Sequence, residues 1–100
     1  MAKYKIVYAP KFWRRLDDLL NYLTVKWNLK TTDNFLIILF EHISQLEQNP
    51  KIGRIAQKDK SIRSINITKH NRLYFQLKDN VIRIITLFDT RQSPAKNKFE

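Results

Sequence analysis

Cysteine is missing from this 100-residue chain, and histidine occurs only twice. The absence of cysteine excludes disulfides, thiolate nucleophiles and every cysteine-based zinc site. The two histidines, His42 and His70, are far apart in the sequence and leave little for any other transition-metal centre. We therefore expect no metal site and no cofactor.

Apolar runs, glycine and proline are also scarce. No run approaches the roughly 18 apolar residues that a membrane-spanning helix needs, and Met1 to Tyr4 lack the apolar stretch and cleavage site of a signal peptide. One glycine and three prolines argue against a linker-rich or disordered chain. With 43% hydrophobic residues, residues 1–100 can fill one core. We expect a single, soluble, cytoplasmic domain without a membrane partner.

Basic charge is abundant and unevenly distributed. The formal net charge is +10, and residues 51–100 hold 12 Lys and Arg against 4 Asp and Glu, whereas residues 1–50 hold 7 against 5. Such a surplus is typical of a protein that binds nucleic acid. It is equally typical of a basic surface that an acidic protein neutralises, or of one that is merely solvated. Composition does not choose among these partners.

The hydrophobic period changes near Pro10. Residues 3–8 alternate between large apolar and other side chains, which predicts a short strand. From Pro10 to about Trp27, apolar residues recur every three or four positions, which predicts an amphipathic helix with Pro10 in its first turn. Thr31 or Thr32 can cap a second helix, and Asn49-Pro50 would end it.

The second helix has more apolar residues than one buried face requires. Phe35, Leu39, Ile43 and Leu46 form one stripe at helical spacing, but residues 36–40 are apolar without interruption. Either this helix is the most buried element, or part of it contacts a partner.

Three more strands are predicted in the second half. Residues 51–61 form an exposed basic loop, in which Gly53 would take a turn conformation that a side chain would strain. Asp79-Asn80 suits a two-residue hairpin turn. The predicted strands are Ile62 to Ile67, Arg72 to Lys78 and Val81 to Asp89. The fold class is α+β in the order β-α-α-β-β-β, with a small, mostly antiparallel, four-stranded sheet and both helices on one face.

The sheet face away from the helices is the candidate site. Arg72 and Tyr74 point to the same side of their strand, Arg63 lies on the preceding strand, and Arg91 follows the last one. Converging guanidinium groups can hold a phosphate, and a tyrosine can stack on a base. The alternative is that these arginines are solvated and that Tyr74 is packed. We favour it for Arg63 and Arg83, and we favour a functional role for Arg72 and Arg91.

Two other residues suggest chemistry near this face. His70 lies in the turn from Thr68 to Asn71 and could be a general acid or base, although a turn histidine is more often only exposed. His42 falls within a helix and is interpreted as structural. Asp89 could orient Arg91 through a salt bridge. Paired carboxylates, a glycine-rich phosphate loop and a Ser-His-Asp series are all absent.

In these residues the chain resembles the RelE/ParE superfamily of toxins from bacterial type II toxin-antitoxin systems. The similarity covers nearly the whole length, and the element order is also that of the family. The similar segments are Tyr22 with Trp27-Asn28, the stripe of the second helix, Asn49-Pro50, Gly53, Ile62-Arg63, Lys69 to Tyr74, and Leu87 to Gln92 with Pro94.

Resemblance to RelE implies a ribosome-dependent, metal-independent endoribonuclease that cuts messenger RNA. Arg72 and Arg91 would then hold the scissile phosphate, with His70 or Tyr74 assisting. The chain departs from that nuclease at the positions of two lysines and near that of a tyrosine, where it has Ser64, Asn66 and Asn97.

Resemblance to ParE implies the same fold without that catalytic set, and the poisoning of DNA gyrase. The spacing from Tyr22 to Trp27-Asn28 is more similar to this branch, which we favour, and whether the chain is an enzyme stays open. In either branch Arg63 and Lys69 would join Arg72 and Arg91 in binding the target or nucleic acid.

Either branch also implies a small antitoxin, acidic or amphipathic, that folds over the toxin to form a hetero-oligomer. Leu36, Phe40 and Arg83 are the candidate antitoxin contacts. A third hypothesis, which needs only the composition, is a basic nucleic-acid-binding module without toxicity.

Overall fold

The computed structural model describes residues 4–100, so Lys3, where the predicted first strand begins, lies outside the described residues. The elements in chain order are β1 (Lys5–Tyr8), α1 (Pro10–Lys26), α2 (Leu29–Gln48), β2 (Arg54–Ile55), β3 (Ile62–Thr68), β4 (Asn71–Lys78) and β5 (Val81–Asp89). One short 3₁₀ helix follows α2 and another follows β5, over Pro50–Ile52 and Pro94–Lys96.

The strands form one sheet in the order β1-β5-β4-β3-β2. β1 runs parallel to β5, and all other neighbours are antiparallel. The α+β class and the mostly antiparallel sheet are therefore confirmed, but the predicted number of four strands is wrong. The fifth strand, β2, pairs Arg54 with Ser64 and Ile55 with Arg63, inside the segment predicted to be a loop. A two-residue strand is too short for alternation to reveal.

Both helices pack on one face of the sheet and build the main core there. Phe12 and Leu16 are the buried residues of α1, and α2 buries the predicted stripe that begins with Phe35. These side chains meet Leu73 and Phe75 of β4, together with apolar residues of β5. Within residues 4–100, no helix is long and apolar enough to cross a membrane.

The start of α2 differs from the prediction. Asn28, and neither Thr31 nor Thr32, is the N-cap, and its side-chain Oδ1 accepts a hydrogen bond from the Thr31 backbone N–H at 2.8 Å. An asparagine is as good a cap as a threonine, so the helix begins one turn earlier than the sequence indicated. Thr32 has another role, because its Oγ1 lies 2.7 Å from Oγ1 of Thr24 and joins the two helices.

Gly53 is required for space and not for its backbone conformation. Its φ of −74° and ψ of 150° are extended, so the predicted turn conformation is wrong. A Cβ at this position would lie 2.7 Å from Cζ of Phe75 and 3.1 Å from Cβ of Arg63. The predicted hairpin turn at Asp79-Asn80 is present, and Asp79 has a positive φ of 56°.

The sequence predicted that the sheet face opposite the helices is open. That prediction is wrong, because the centre of the face is covered. The C-terminal segment, residues 93–100, lies over it and brings Phe99 onto a second apolar cluster around Ala56, Ile62 and Tyr74. Sequence alternation assigned Tyr74 to this face correctly. Alternation could not reveal what covers the face, because that contact joins residues distant in the chain.

Candidate functional site

Tyr74 is the centre of the face covered by the C-terminal segment. Its side chain is fully buried, and its ring stacks on Phe99 with 4.7 Å between ring centroids. The Tyr74 hydroxyl donates to Oε2 of Glu100 at 2.9 Å and accepts from Nδ2 of Asn97 at 2.8 Å. A tyrosine with both hydrogen-bonding functions engaged inside the protein is not free to act on a substrate.

Glu100 connects this centre to the edge of the sheet. Its carboxylate accepts hydrogen bonds from the Gln57 backbone N–H at 3.1 Å and from the Arg54 guanidinium at 3.3 Å. Burial favours the protonated acid, but these donors and the Tyr74 hydroxyl together outweigh it, so the pKa of Glu100 lies below its ordinary value. Sequence reasoning missed Glu100, because Arg54 is 46 residues away from it.

Arg72 lies beside this network on the same face. Its Nε donates to Oδ1 of Asn66 at 3.1 Å. Arg72 also lines a cavity of about 280 Å³ with Arg54 and Gln92. Ser64, which like Asn66 stands at a lysine position of the nuclease pattern, is buried opposite Tyr74. The guanidinium groups that line the cavity can bind an anion. The one carboxylate in the lining, from Glu100, already accepts hydrogen bonds from other residues of the protein.

Arg91 lies on the other side of the sheet, toward α1. Its Nε and one terminal nitrogen donate to the two carboxylate oxygens of Asp89 at 3.0 and 2.9 Å, so the expected Asp89–Arg91 salt bridge is present. These hydrogen bonds hold the pKa of the Asp89 carboxyl below its ordinary value and raise the pKa of the Arg91 guanidinium. The pair lines a cavity of about 400 Å³ with Tyr22 and Arg15 of α1.

Arg72 and Arg91 therefore do not converge. Arg72 pairs with Phe88, and Asp89, the next residue, pairs with Asn71 and points to the opposite face. The salt bridge with Asp89 keeps Arg91 on that opposite face. No described cavity is lined by both arginines. A single phosphate grip formed by the two side chains, as the sequence suggested, is absent from the described part of the chain.

The remaining basic candidates are dispersed. Arg63 is half-buried and donates to the Gly53 carbonyl oxygen at 3.0 Å, so it supports the segment before β2 and is not the solvated residue we predicted. Its strand partner is Phe75, on the helix side of the sheet, so Arg63 does not join Arg72. Lys69 is exposed in the turn before β4, and Arg83 is exposed on β5.

A groove opens between the helix hairpin and the turn before β4. It has a volume of about 460 Å³, and Tyr22, Trp27, Ile38, His70 and Arg91 are among its lining residues. Trp27 is 65% exposed and Tyr22 is 48% exposed, so these two aromatic side chains leave a large apolar surface in contact with solvent. We call this cavity the hairpin groove. Only the spacing of Tyr22 and Trp27 pointed to it in the sequence.

The candidate antitoxin contacts on α2 differ in exposure. Phe40 is 39% exposed, whereas Leu36 is half-buried and packs against the main core. Ile37 is 57% exposed, so α2 does keep apolar surface that the fold leaves uncovered. His42, interpreted as structural, bonds through Nδ1 to the Ile38 carbonyl oxygen at 2.8 Å. Among residues 4–100, no group of three or more histidines or carboxylates is placed to hold a metal ion.

Comparison with known families gives one match over most of the chain. The model of the ParE toxin of type II toxin-antitoxin systems, parDE, matches residues 6–94. No curated protein sequence matches the chain significantly.

Solved structures share the fold at low sequence identity. The chromosomal ParDE toxin-antitoxin system from P. aeruginosa matches with a TM-score of 0.73 and 15% identity, over 86% of this chain and 95% of that chain. The YoeB/ParE toxin from Agrobacterium tumefaciens matches with a TM-score of 0.61 and 15% identity, over 85% of this chain and 96% of that chain. The RelBE2 toxin-antitoxin complex from Mycobacterium tuberculosis matches with a TM-score of 0.59 and 14% identity, over 88% of this chain and 99% of that chain.

Proposed function

The chain belongs to the ParE toxin family of type II toxin-antitoxin systems, and we propose that it arrests bacterial growth by poisoning DNA gyrase. A cognate antitoxin neutralises it by binding the exposed apolar and basic surface. The rival activity is the cutting of messenger RNA on the ribosome. The family match supports the first, and the geometry of the covered sheet face supports it over the second.

The observation that carries this proposal is the burial of Tyr74 beneath the C-terminal segment. A ribonuclease needs a base to take the 2′-hydroxyl proton, and such a group is usually worth about 10²–10⁴-fold in rate. On the face that would meet RNA, the Tyr74 hydroxyl donates a hydrogen bond to Glu100, and Asn97 is buried against it. Arg72 remains there without Arg91 to share a phosphate. These features favour a toxin that binds over one that cuts.

The hairpin groove supports a role in binding a macromolecule. Trp27 and Tyr22 are the kind of large aromatic residues that dominate the binding energy of protein interfaces. Arg91 stands beside them with its guanidinium exposed, and Asp89 fixes its direction. We propose that Tyr22, Trp27 and Arg91 contact gyrase.

A second exposed surface supports the existence of an antitoxin partner. Ile37 and Phe40 on α2 are exposed apolar side chains, and the surplus of basic residues is concentrated in the second half of the chain. A flexible segment with apolar and acidic residues would cover both when it folds on the toxin. We propose that this antitoxin is encoded beside the toxin gene. The ParDE toxin-antitoxin system and the RelBE2 toxin-antitoxin complex, which share the fold, support the existence of such a partner.

Induction of the chain alone in bacterial cells tests the proposal. Growth should stop, protein synthesis measured by pulse-labelling should continue at first, and DNA breaks with an SOS response should appear. Immediate loss of protein synthesis with cut messages would support the ribonuclease instead. Normal growth with abundant folded protein would contradict the toxin function altogether.

Two arginine variants make this experiment specific. Arg91→Ala should relieve growth arrest, because it removes the exposed cation of the hairpin groove. Arg83→Ala removes another exposed arginine, from β5, at a position outside that groove, and should leave toxicity intact. If both variants or neither relieved the arrest, the groove would not be the contact with the target.

A further inference from the structure

A basic cavity lies beside the start of α1, and neither Arg72 nor Arg91 is among its lining residues. Its volume is about 240 Å³, and four of its lining residues are cationic: Lys11, Arg15, Lys96 and Lys98. Two come from the first half of α1 and two from the C-terminal segment. None was singled out as a site residue in the sequence, because the two pairs are more than 80 residues apart.

The cavity forms along a part of β5 that has no partner strand on one side. β1 ends at Tyr8, which pairs with Ile84, and β5 continues to Asp89. Within residues 4–100, no strand pairs with this side of β5 beyond Ile84. Thr86 to Asp89 line the cavity along that edge. An uncovered edge presents backbone N–H and C=O groups in addition to the side chains.

Within residues 4–100, none of the four cations forms an ion pair with a carboxylate. The ion pairs found within residues 4–100 join Arg54 to Glu100 and Arg91 to Asp89. Asp89 lines the cavity, but both of its oxygens accept hydrogen bonds from Arg91, so its charge is already matched. The first turn of α1 contains no acidic residue either. The cavity therefore keeps a net positive charge that no described side chain neutralises.

Lys11 lies near other cations of this cavity. Lys98 lies with Nζ 5.5 Å from the centroid of the Phe99 ring, which also stacks on Tyr74. Burial lowers the pKa of Lys11, and the neighbouring Lys98, Arg15 and Arg14 lower it further. An anion bound among these cations would offset their mutual repulsion.

We propose that this cavity binds a phosphate group, carried by a nucleic acid strand or by a small phosphorylated molecule. The ammonium group of lysine and the guanidinium group of arginine both donate hydrogen bonds to phosphate oxygens. Phe88 and Phe99 give the cavity apolar walls next to the cations, where a base or a sugar attached to the phosphate would pack. The site does not depend on gyrase as the target, and it would remain if the toxin acted elsewhere.

Two double variants with the same loss of charge test the proposal. Lys11→Gln with Lys98→Gln removes two cations of the cavity. Lys30→Gln with Lys60→Gln removes two exposed lysines outside every described cavity, and it is the matched control. The probes are inorganic phosphate, followed by NMR shifts of the lysine side chains, and a fluorescent single-stranded DNA of about 12 nucleotides, followed by anisotropy at several salt concentrations.

We expect the cavity variant to bind at least one probe about tenfold more weakly than the control variant does. A fall for the oligonucleotide, with or without phosphate, assigns the site to a nucleic acid strand. A fall for inorganic phosphate alone assigns it to a small phosphorylated molecule.

Equal binding by the two double variants would overturn the proposal, because affinity would then follow net charge alone. Absence of binding by the unmodified protein would overturn it as well. The NMR titration also uses the unmodified protein, in which Lys11 and Lys98 should shift before Lys30 and Lys60. That measurement remains decisive if the cavity variant folds poorly.

Discussion

The hydroxyl of Tyr74 donates a hydrogen bond to Glu100 at 2.9 Å, and this contact fixes the C-terminal segment over the sheet face opposite the helices. Because the same hydroxyl accepts from Asn97, a buried tyrosine, a carboxylate and an amide satisfy one another. Every described buried side-chain nitrogen or oxygen has a hydrogen-bond partner, so this network leaves none unpaired. The centre of this sheet face, where the resemblance to RelE implies a nuclease site, is thus part of the folded interior.

Replacing Tyr74 by phenylalanine should destabilise the protein without disturbing its shape. The substitution removes one hydroxyl and leaves the Asn97 amide and the Glu100 carboxylate short of a partner. We expect a loss of about 1–3 kcal/mol in the free energy of unfolding, measured by urea denaturation. Tyr22→Phe removes a hydroxyl from an exposed tyrosine and should change stability by less than about 0.5 kcal/mol. Equal effects of the two substitutions would contradict the proposed network.

The Glu100 network should make stability depend on pH. The pKa of Glu100 is below its ordinary value of 4.5 in the folded protein, so the ionised form stabilises the fold. That contribution is complete above the ordinary value and is lost as the pH falls through the lowered pKa. The free energies of unfolding of the wild type and Glu100→Gln, measured from neutral to acidic pH, should therefore converge. Glu41→Gln, on the exposed side of α2, is the control, and its difference from the wild type should not show this convergence.

Gly53→Ala tests the steric role of the only glycine. The added methyl group would lie 2.7 Å from Cζ of Phe75, a fully buried ring that cannot easily move. We expect destabilisation of about 1–3 kcal/mol, the usual cost of overpacking. Phe75→Leu in the Gly53→Ala background should recover part of that loss in a double-mutant cycle of thermal unfolding. Strictly additive effects would show that the methyl group does not meet the ring.

Lys98→Gln should raise the pKa of Lys11. Burial is the larger cause of the lowered Lys11 pKa and persists in the variant, whereas repulsion by Lys98 disappears. The rise should therefore be partial. Titration of the Lys11 ε-methylene signals by NMR measures it, with Lys60→Gln as a control that leaves the Lys11 pKa unchanged. An unchanged Lys11 pKa in Lys98→Gln would show that the two ammonium groups do not lie close together in solution.

Local patterns predicted most of the fold. The period of α1, the alternation in β4 and the Asp79-Asn80 turn depend on residues close in sequence, and these elements appear where expected. The strand β2 escaped prediction because two residues carry no period. The cap of α2 was predicted at Thr31 or Thr32 because threonine and asparagine are both common cap residues, and the sequence alone does not show which of them the helix uses.

The candidate site was harder to predict than the fold. Alternation placed Arg72 and Tyr74 on one face correctly, since that depends on two residues of one strand. It gave no sign that Asp89 holds Arg91 on the opposite face, or that the C-terminal segment covers Tyr74. The last contact spans 26 residues and depends on tertiary packing alone.

Purified DNA gyrase with supercoiled plasmid DNA gives the most direct test of the proposed toxin activity. Incubation with the wild-type protein should accumulate cleaved plasmid that remains attached to gyrase, and Arg91→Ala should reduce that product while Arg83→Ala does not. The contradicting result is intact plasmid with the wild-type protein, together with cleavage of messenger RNA when the same preparation is added to translating ribosomes.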